Sequence, residues 1–209
     1  MLLKEITYSI LELLRKGSIV DDEPLDIRLI EFFVRAKRAE YVQSIVDKGV
    51  PLGEQFYQYI ETDVTKDSEP NQLILKTTDS FPKVISNREG NTIKEVASLD
   101  LIQYIFTLVN NNRFRYSGNG RFNSNIIYVT YRDNTLYFTS SSKIHLHLTT
   151  ILVKTVLEDP KDDESFDEET NEYPISLQCY EYIKEAIMKE DIKMFMSGIP
   201  DTENNSTFN

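Results

Sequence analysis

Ile126-Ile127-Tyr128-Val129-Thr130-Tyr131-Arg132-Asp133-Asn134-Thr135-Leu136-Tyr137-Phe138-Thr139 is the stretch on which the fold turns. Ile126–Tyr131 and Thr135–Thr139 alternate with period two, which sends successive side chains to opposite faces of a strand. Asp133-Asn134 joins them, and both residue types tolerate the left-handed backbone that a two-residue connection requires. The segment therefore predicts a tight antiparallel hairpin. On its N-terminal side, Tyr57–Thr65, Gln72–Thr78 and Thr92–Ser98 are short runs rich in β-branched and aromatic residues, punctuated by Asp79, Pro82 and 87–90. Ile144, Leu146 and Leu148 continue the alternation, and Thr150–Leu157 predicts a further strand. Leu99–Asn110 reads equally as a short helix or an apolar loop. The centre of the chain, 57–157, is thus expected to be an antiparallel β domain, a sandwich or barrel-like.

Helices flank it. In 3–16, Ile6, Ile10, Leu13 and Leu14 form one apolar stripe, and Gly17 follows at the stop position. Asp21-Asp22-Glu23 and Pro24 suit the start of a second helix over 24–48, since acid favours the positive end of the dipole and proline needs no donor there. Leu29, Phe33, Ala36, Tyr41 and Ile45 are expected to line its packed side, leaving Arg35, Lys37 and Arg38 as a basic surface patch. The two make a helical hairpin over 1–56. After the β domain, nine of the fifteen residues 158–172 are Asp or Glu, opposed only by Lys161. Self-repulsion predicts a solvated, extended loop over 158–173. Tyr173-Pro174 leads into a helix over 175–196 with Cys179, Ile183, Ala186 and Ile187 at helical spacing, and the tail to 209 reads as frayed. The fold class is α+β, with the last helix (domain 174–209) packing back on the helical part.

At 209 residues and 24.3 kDa the chain is long enough for a core without staples. A compact fold would expose about 10,000 Å² against about 35,000 Å² extended. Cys179 is the single cysteine, so no intrachain disulfide can form. No apolar run approaches the roughly 18 residues of a membrane span, and the amphipathic start lacks a signal-peptide layout. Both point to use in a cytosol. The net charge of −11 speaks against a protein that grips phosphates. Yet 158–172 alone carries −8 of it, so the remainder is close to neutral.

Catalytic constellations are missing: there is no phosphate-binding glycine loop, no metalloprotease helix and no cysteine pair. His145 and His147 would share a strand face, the beginning of a zinc site, but no third ligand stands near them in sequence. Two strand-face histidines are the simpler reading. Asp159, Asp163 and Glu164 lack the glycine and spacing of a calcium loop. A carboxylate hydrolase would have to draw on Glu54, Glu61, Asp63 or Asp100, which nothing pairs. No catalytic, cofactor-binding or metal residue is therefore expected. Arg113-Phe114-Arg115-Tyr116-Ser117-Gly118-Asn119-Gly120-Arg121-Phe122 interleaves cations and rings. That composition serves a contact between subunits, a local anchor of the fold, or the stacking of single-stranded bases.

Lys4–Leu13, the acidic turn and Arg35-Ala36-Lys37-Arg38 resemble the start of virion ring proteins of crAss-like phages of Bacteroidales. Tyr116–Phe122, Asn125–Tyr128 and Leu136-Tyr137-Phe138 are similar to that group's central hairpin. Val156–Pro160, the acidic loop with Phe166, and Glu172–Ile175 resemble its final strand, loop and helix start. The shared order runs over nearly the whole chain, with a longer segment at Leu99–Asn112. The resemblance implies a head–tail connector ring, with twelve copies expected around the DNA channel. Its partners would be further copies, portal or adjacent ring proteins, and double-stranded DNA passing without sequence-specific binding. It implies no membrane, cofactor or catalysis, and a virion neck location after assembly in the host cytoplasm. Arg113, Phe114, Arg115, Tyr116, Arg121 and Phe122 are then candidate contacts between subunits, and Arg35, Lys37 and Arg38 candidate helical-face contacts. A single-stranded nucleic-acid-binding β domain is the alternative.

Overall fold

The structure, a computed structural model, describes residues 1–15, 27–66, 74–87, 90–98, 104–117 and 124–191. The chain divides into two compact units, Met1–Val42 with Glu168–Asn209, and Gln43–Asp167.

The first unit is helical. Helix α1 spans Leu3–Arg15, and the Glu5 carboxylate accepts from the Leu2 backbone N–H at 2.8 Å, satisfying a donor that the first turn leaves over. Leu3, Ile6, Thr7, Ile10 and Leu11 are buried. The stripe thus runs through Leu11 rather than Leu13, which is exposed. Helix α2 spans Ile27–Asp47; its expected start at 24 lies outside the described residues. Its buried face is Ile30, Val34, Arg38 and Val42, at a spacing of four. The expected face is therefore displaced by one position, with Ala36 exposed and Leu29, Phe33, Tyr41 and Ile45 half-buried. Helix α4 spans Leu177–Ala186, begins at Ser176, whose hydroxyl accepts from Cys179 N, and continues as a π turn over Ile187–Asp191. Cys179, Ile183 and Ile187 are fully buried. Each isoleucine contributes roughly 1.5–3 kcal/mol by leaving water. Tyr180 OH meets Ser9 Oγ of α1 at 2.6 Å, and Tyr182 stacks on Tyr41 of α2 at 5.2 Å. The last helix does pack back on the helical part.

The second unit holds a seven-stranded sheet among the described residues. Its strands are β1 (Gln58–Lys66), β2 (Leu75–Thr77), β5 (Glu95–Ala97), β6 (Ile105–Leu108), β7 (Ile126–Arg132), β8 (Thr135–Thr139) and β9 (Thr150–Thr155). A separate two-stranded ladder joins β3 (Ser86–Asn87) to β4 (Gly90–Asn91). The order β5-β9-β1-β2-β8-β7-β6 is antiparallel except at β6–β7. Its end strands β5 and β6 approach each other, so the sheet curls into a nearly closed barrel. Ile60, Leu75, Val96, Val129, Phe138, Ile151 and Val153 fill the interior from alternate positions. The β7–β8 hairpin turns at Asp133 and Asn134 with φ of 51° and 56°, both left-handed, which matches the strand twist.

Three expectations change. Part of Leu99–Asn110 is neither helix nor loop but β6, hydrogen-bonded parallel to β7. A parallel pair needs a crossover, and helix α3 (Asn111–Ser117) stands in it. Ile144–His147 is a 3₁₀ turn entered through a left-handed Lys143 rather than a strand. Positions three apart share a side in such a turn, so His145 and Leu148 are both buried while His147 is exposed. Finally, the acidic segment is not extended. Asp159 caps a 3₁₀ turn at Pro160–Asp162 and Asp163 accepts from Ser165 N and Oγ, so backbone donors absorb carboxylates that would otherwise repel.

Candidate functional site

Helix α3 carries most of the described residues singled out for contact. Asn110 opens it, its side-chain oxygen accepting from Arg113 N at 2.9 Å, and Ser117 Oγ closes it by donating to Arg113 O at 2.8 Å. The helix packs against β7. Phe114 and Ser117 are its buried residues, and β7 is buried on both faces from Ile127 to Thr130. Phe114 is therefore an anchor rather than a surface contact. Arg113 and Arg115 are exposed, and Tyr116 is 78% exposed. Arg121 and Phe122 lie outside the described residues.

The other basic cluster is split. Lys37 bridges Glu40 at 3.1 Å and is half-buried, as is Arg35. Arg38 is not a surface residue at all. It is fully buried, donates from Nε to Pro174 O at 2.9 Å and lies 5.7 Å from the centroid of the Tyr173 ring. Between two valines on the packed stripe, its long stem fills space while its head pins the start of α4. A basic patch of Arg35, Lys37 and Arg38 is thus corrected to Arg35 and Lys37.

Sequence reading missed a third cationic group. Glu54 is bonded to both Lys94 and Lys154, with 2.6 Å to the latter. Lys94 and Lys154 lie 4.9 and 5.6 Å from the Tyr57 ring centroid, and Lys154 5.2 Å from that of Tyr59. Hydrogen bonds from Lys154 and then Lys94 pull the Glu54 carboxyl down to about 2, while the Glu54 and Tyr59 partners push Lys154 up. A carboxyl held ionised in this way cannot act as a general acid near neutral pH. Glu61 and Asp63 project from the outer side of β1, and Asp63 accepts from Thr150 Oγ1 at 2.9 Å; Asp100 lies outside the described residues. The only thiol, Cys179, is buried, and desolvation pushes it up to about 12. Among the described residues no three His, Cys, Asp or Glu side chains gather as metal ligands.

Exposed large apolar side chains remain on both units: Tyr8, Phe32 and Leu177 on the helical one, Tyr59, Ile105 and Tyr116 on the barrel. No curated protein matches the chain. The family of phage tail ring protein 2 matches residues 5–209, nearly the full length, and the chain belongs to this family of crAss-like phage ring proteins.

Proposed function

We propose that the chain is the repeating subunit of a homo-oligomeric ring in the head–tail connector, closed around the channel through which double-stranded DNA passes between portal and tail. Family membership carries this reading: it makes the chain a structural tail protein of the virion, and a ring is named in the family itself. The surface supports it. A subunit that closes a ring by rotation needs two unlike faces that fit each other, and exposed rings and aliphatic side chains such as Leu177, at 74% exposure, mark surface that association would cover. Twelve copies, a portal or adjacent ring as neighbour, and assembly in the host cytoplasm complete the proposal. It assigns the protein no catalysis. With the acid concentrated in 158–172, the rest of the subunit can face DNA without holding it.

The single-strand reading rests on 113–122 and the tyrosine-rich strands, and among the described residues of that segment α3 offers one exposed ring, Tyr116, rather than a row of stacking platforms. Native mass measurement of the purified protein, alone and with the portal protein, separates the two. A closed oligomer of several hundred kDa, or capture by the portal, is expected. A monomer that ignores the portal and binds single strands with micromolar affinity at physiological salt would overturn the ring.

A further inference from the structure

Eight described cations of this acid-rich chain pair with carboxylates: Lys4, Lys37, Lys83, Lys94, Arg132, Lys154, Lys184 and Lys189. Arg113 and Arg115 have none among the described residues, although both are exposed and Tyr116 stands beside them. With 34 acids against 23 basic residues, two neighbouring arginines left over are a surface waiting for a negative partner.

The same unit carries that charge elsewhere. Residues 158–167 hold six carboxylates against Lys161. They are folded into capped turns, and the first turn is tied to the start of β1 by Gln58 Nε2 donating to Pro160 O at 3.3 Å. Glu164 and Asp167 are exposed. In the strand order, β2 and β8 lie between β1 and β7, the strand under α3. On a nearly closed seven-stranded barrel that is close to half the circumference, so the cationic and acidic surfaces occupy different walls and cannot pair within one subunit.

We propose that α3 of one subunit docks on the acidic turns 158–167 of the next, Arg113 and Arg115 facing its carboxylates and Tyr116 serving as the central anchor. Opposite charge on separate walls of one body is the arrangement that repeats head to tail and closes. Arginine and tyrosine are the residue types that dominate protein contacts. Duplex DNA offers no unstacked base to Tyr116. The inference rests on the ring proposed above.

The test is charge exchange. One variant carries Arg113→Glu and Arg115→Glu, a second Glu164→Lys and Asp167→Lys, and oligomer mass is followed by native mass spectrometry with circular dichroism as a check on folding. Each variant alone should lose the ring, and mixing the two should restore it, because each supplies the face the other now lacks. Variants that assemble like the natural protein overturn the docking pair and leave the ring standing. Folded variants that lose the ring and are not rescued by mixing also overturn the pair. A natural protein that stays monomeric with and without portal overturns the ring itself. Unchanged rings with lost duplex binding by the arginine variant assign the surface to DNA instead.

Discussion

The basic clusters at 35–38 and 113–115 look alike in sequence and meet opposite fates. In α2 the last arginine is swallowed by the packed stripe and spends its polarity on the Pro174 carbonyl; in α3 both arginines stand in water while the phenylalanine between them goes inside. What separates them is register. Arg38 falls four residues after Val34 and four before Val42, so the helix has to bury it. Arg113 and Arg115 flank Phe114, which with Ser117 forms the inward side of a two-turn helix. Charge in a sequence therefore reports a side chain's needs, and spacing reports its place.

Of the two clusters, the one holding Arg38 has the larger effect on stability. Arg38→Ala would leave a cavity and an unpaired buried carbonyl, and should cost about 3 kcal/mol in urea unfolding. Lys37→Ala, one position away, should stay within about 0.5 kcal/mol. Equal effects would mean that the buried arginine adds nothing that its surface neighbour does not.

The Lys94–Glu54–Lys154 group lies between these extremes, paired yet at the surface. Glu54 is lowered from 4.5 to about 2 on folding. Its contribution is therefore complete above the unfolded value and lost as pH falls through the folded one. Glu54→Gln should lower the melting temperature modestly at pH 7 and flatten its decline between pH 5 and 2. An unchanged acid slope would show that the pair is solvent-screened to nothing.

The smallest effect on stability belongs to α3. Arg113→Ala with Arg115→Ala should move the unfolding free energy of the subunit by no more than about 0.5 kcal/mol while impairing assembly. A large loss of stability would make the two arginines part of the fold, and the contrast with Arg38 would vanish.

Much of the barrel was legible because alternation and left-handed turn residues are local signals. β7, β8, β9 and the turn at Asp133-Asn134 follow from them directly. β6 was not, since four residues pairing in parallel at an edge carry no alternation to read. The alternation at Ile144–Leu148 was genuine in sequence, but a left-handed Lys143 wound it into a turn. The acidic segment misled for another reason: counting charge ignores the backbone donors that a tight turn supplies. Of the candidate contacts, α3 was found by composition; its helical form, and therefore the inward turn of Phe114, needed the tertiary pairing of β6 with β7. Glu54 gave no local sign, because its lysines stand 40 and 100 residues away.

The pairing of β9 has a consequence for how the subunit is made. β9 lies between β1 and β5, matching Gln58 to Thr155 and Ala97 to Leu152, so β5 lacks its hydrogen-bonded neighbour, and β1 its second one after β2, until the chain has been translated past residue 155. The helical unit waits longer still, because α1 and α2 find α4 only after residue 177. Such distant contacts are slow to form. A nascent chain therefore emerges with β5, α1 and α2 lacking their late partners for most of synthesis, and a truncated product has no finished wall to offer another subunit.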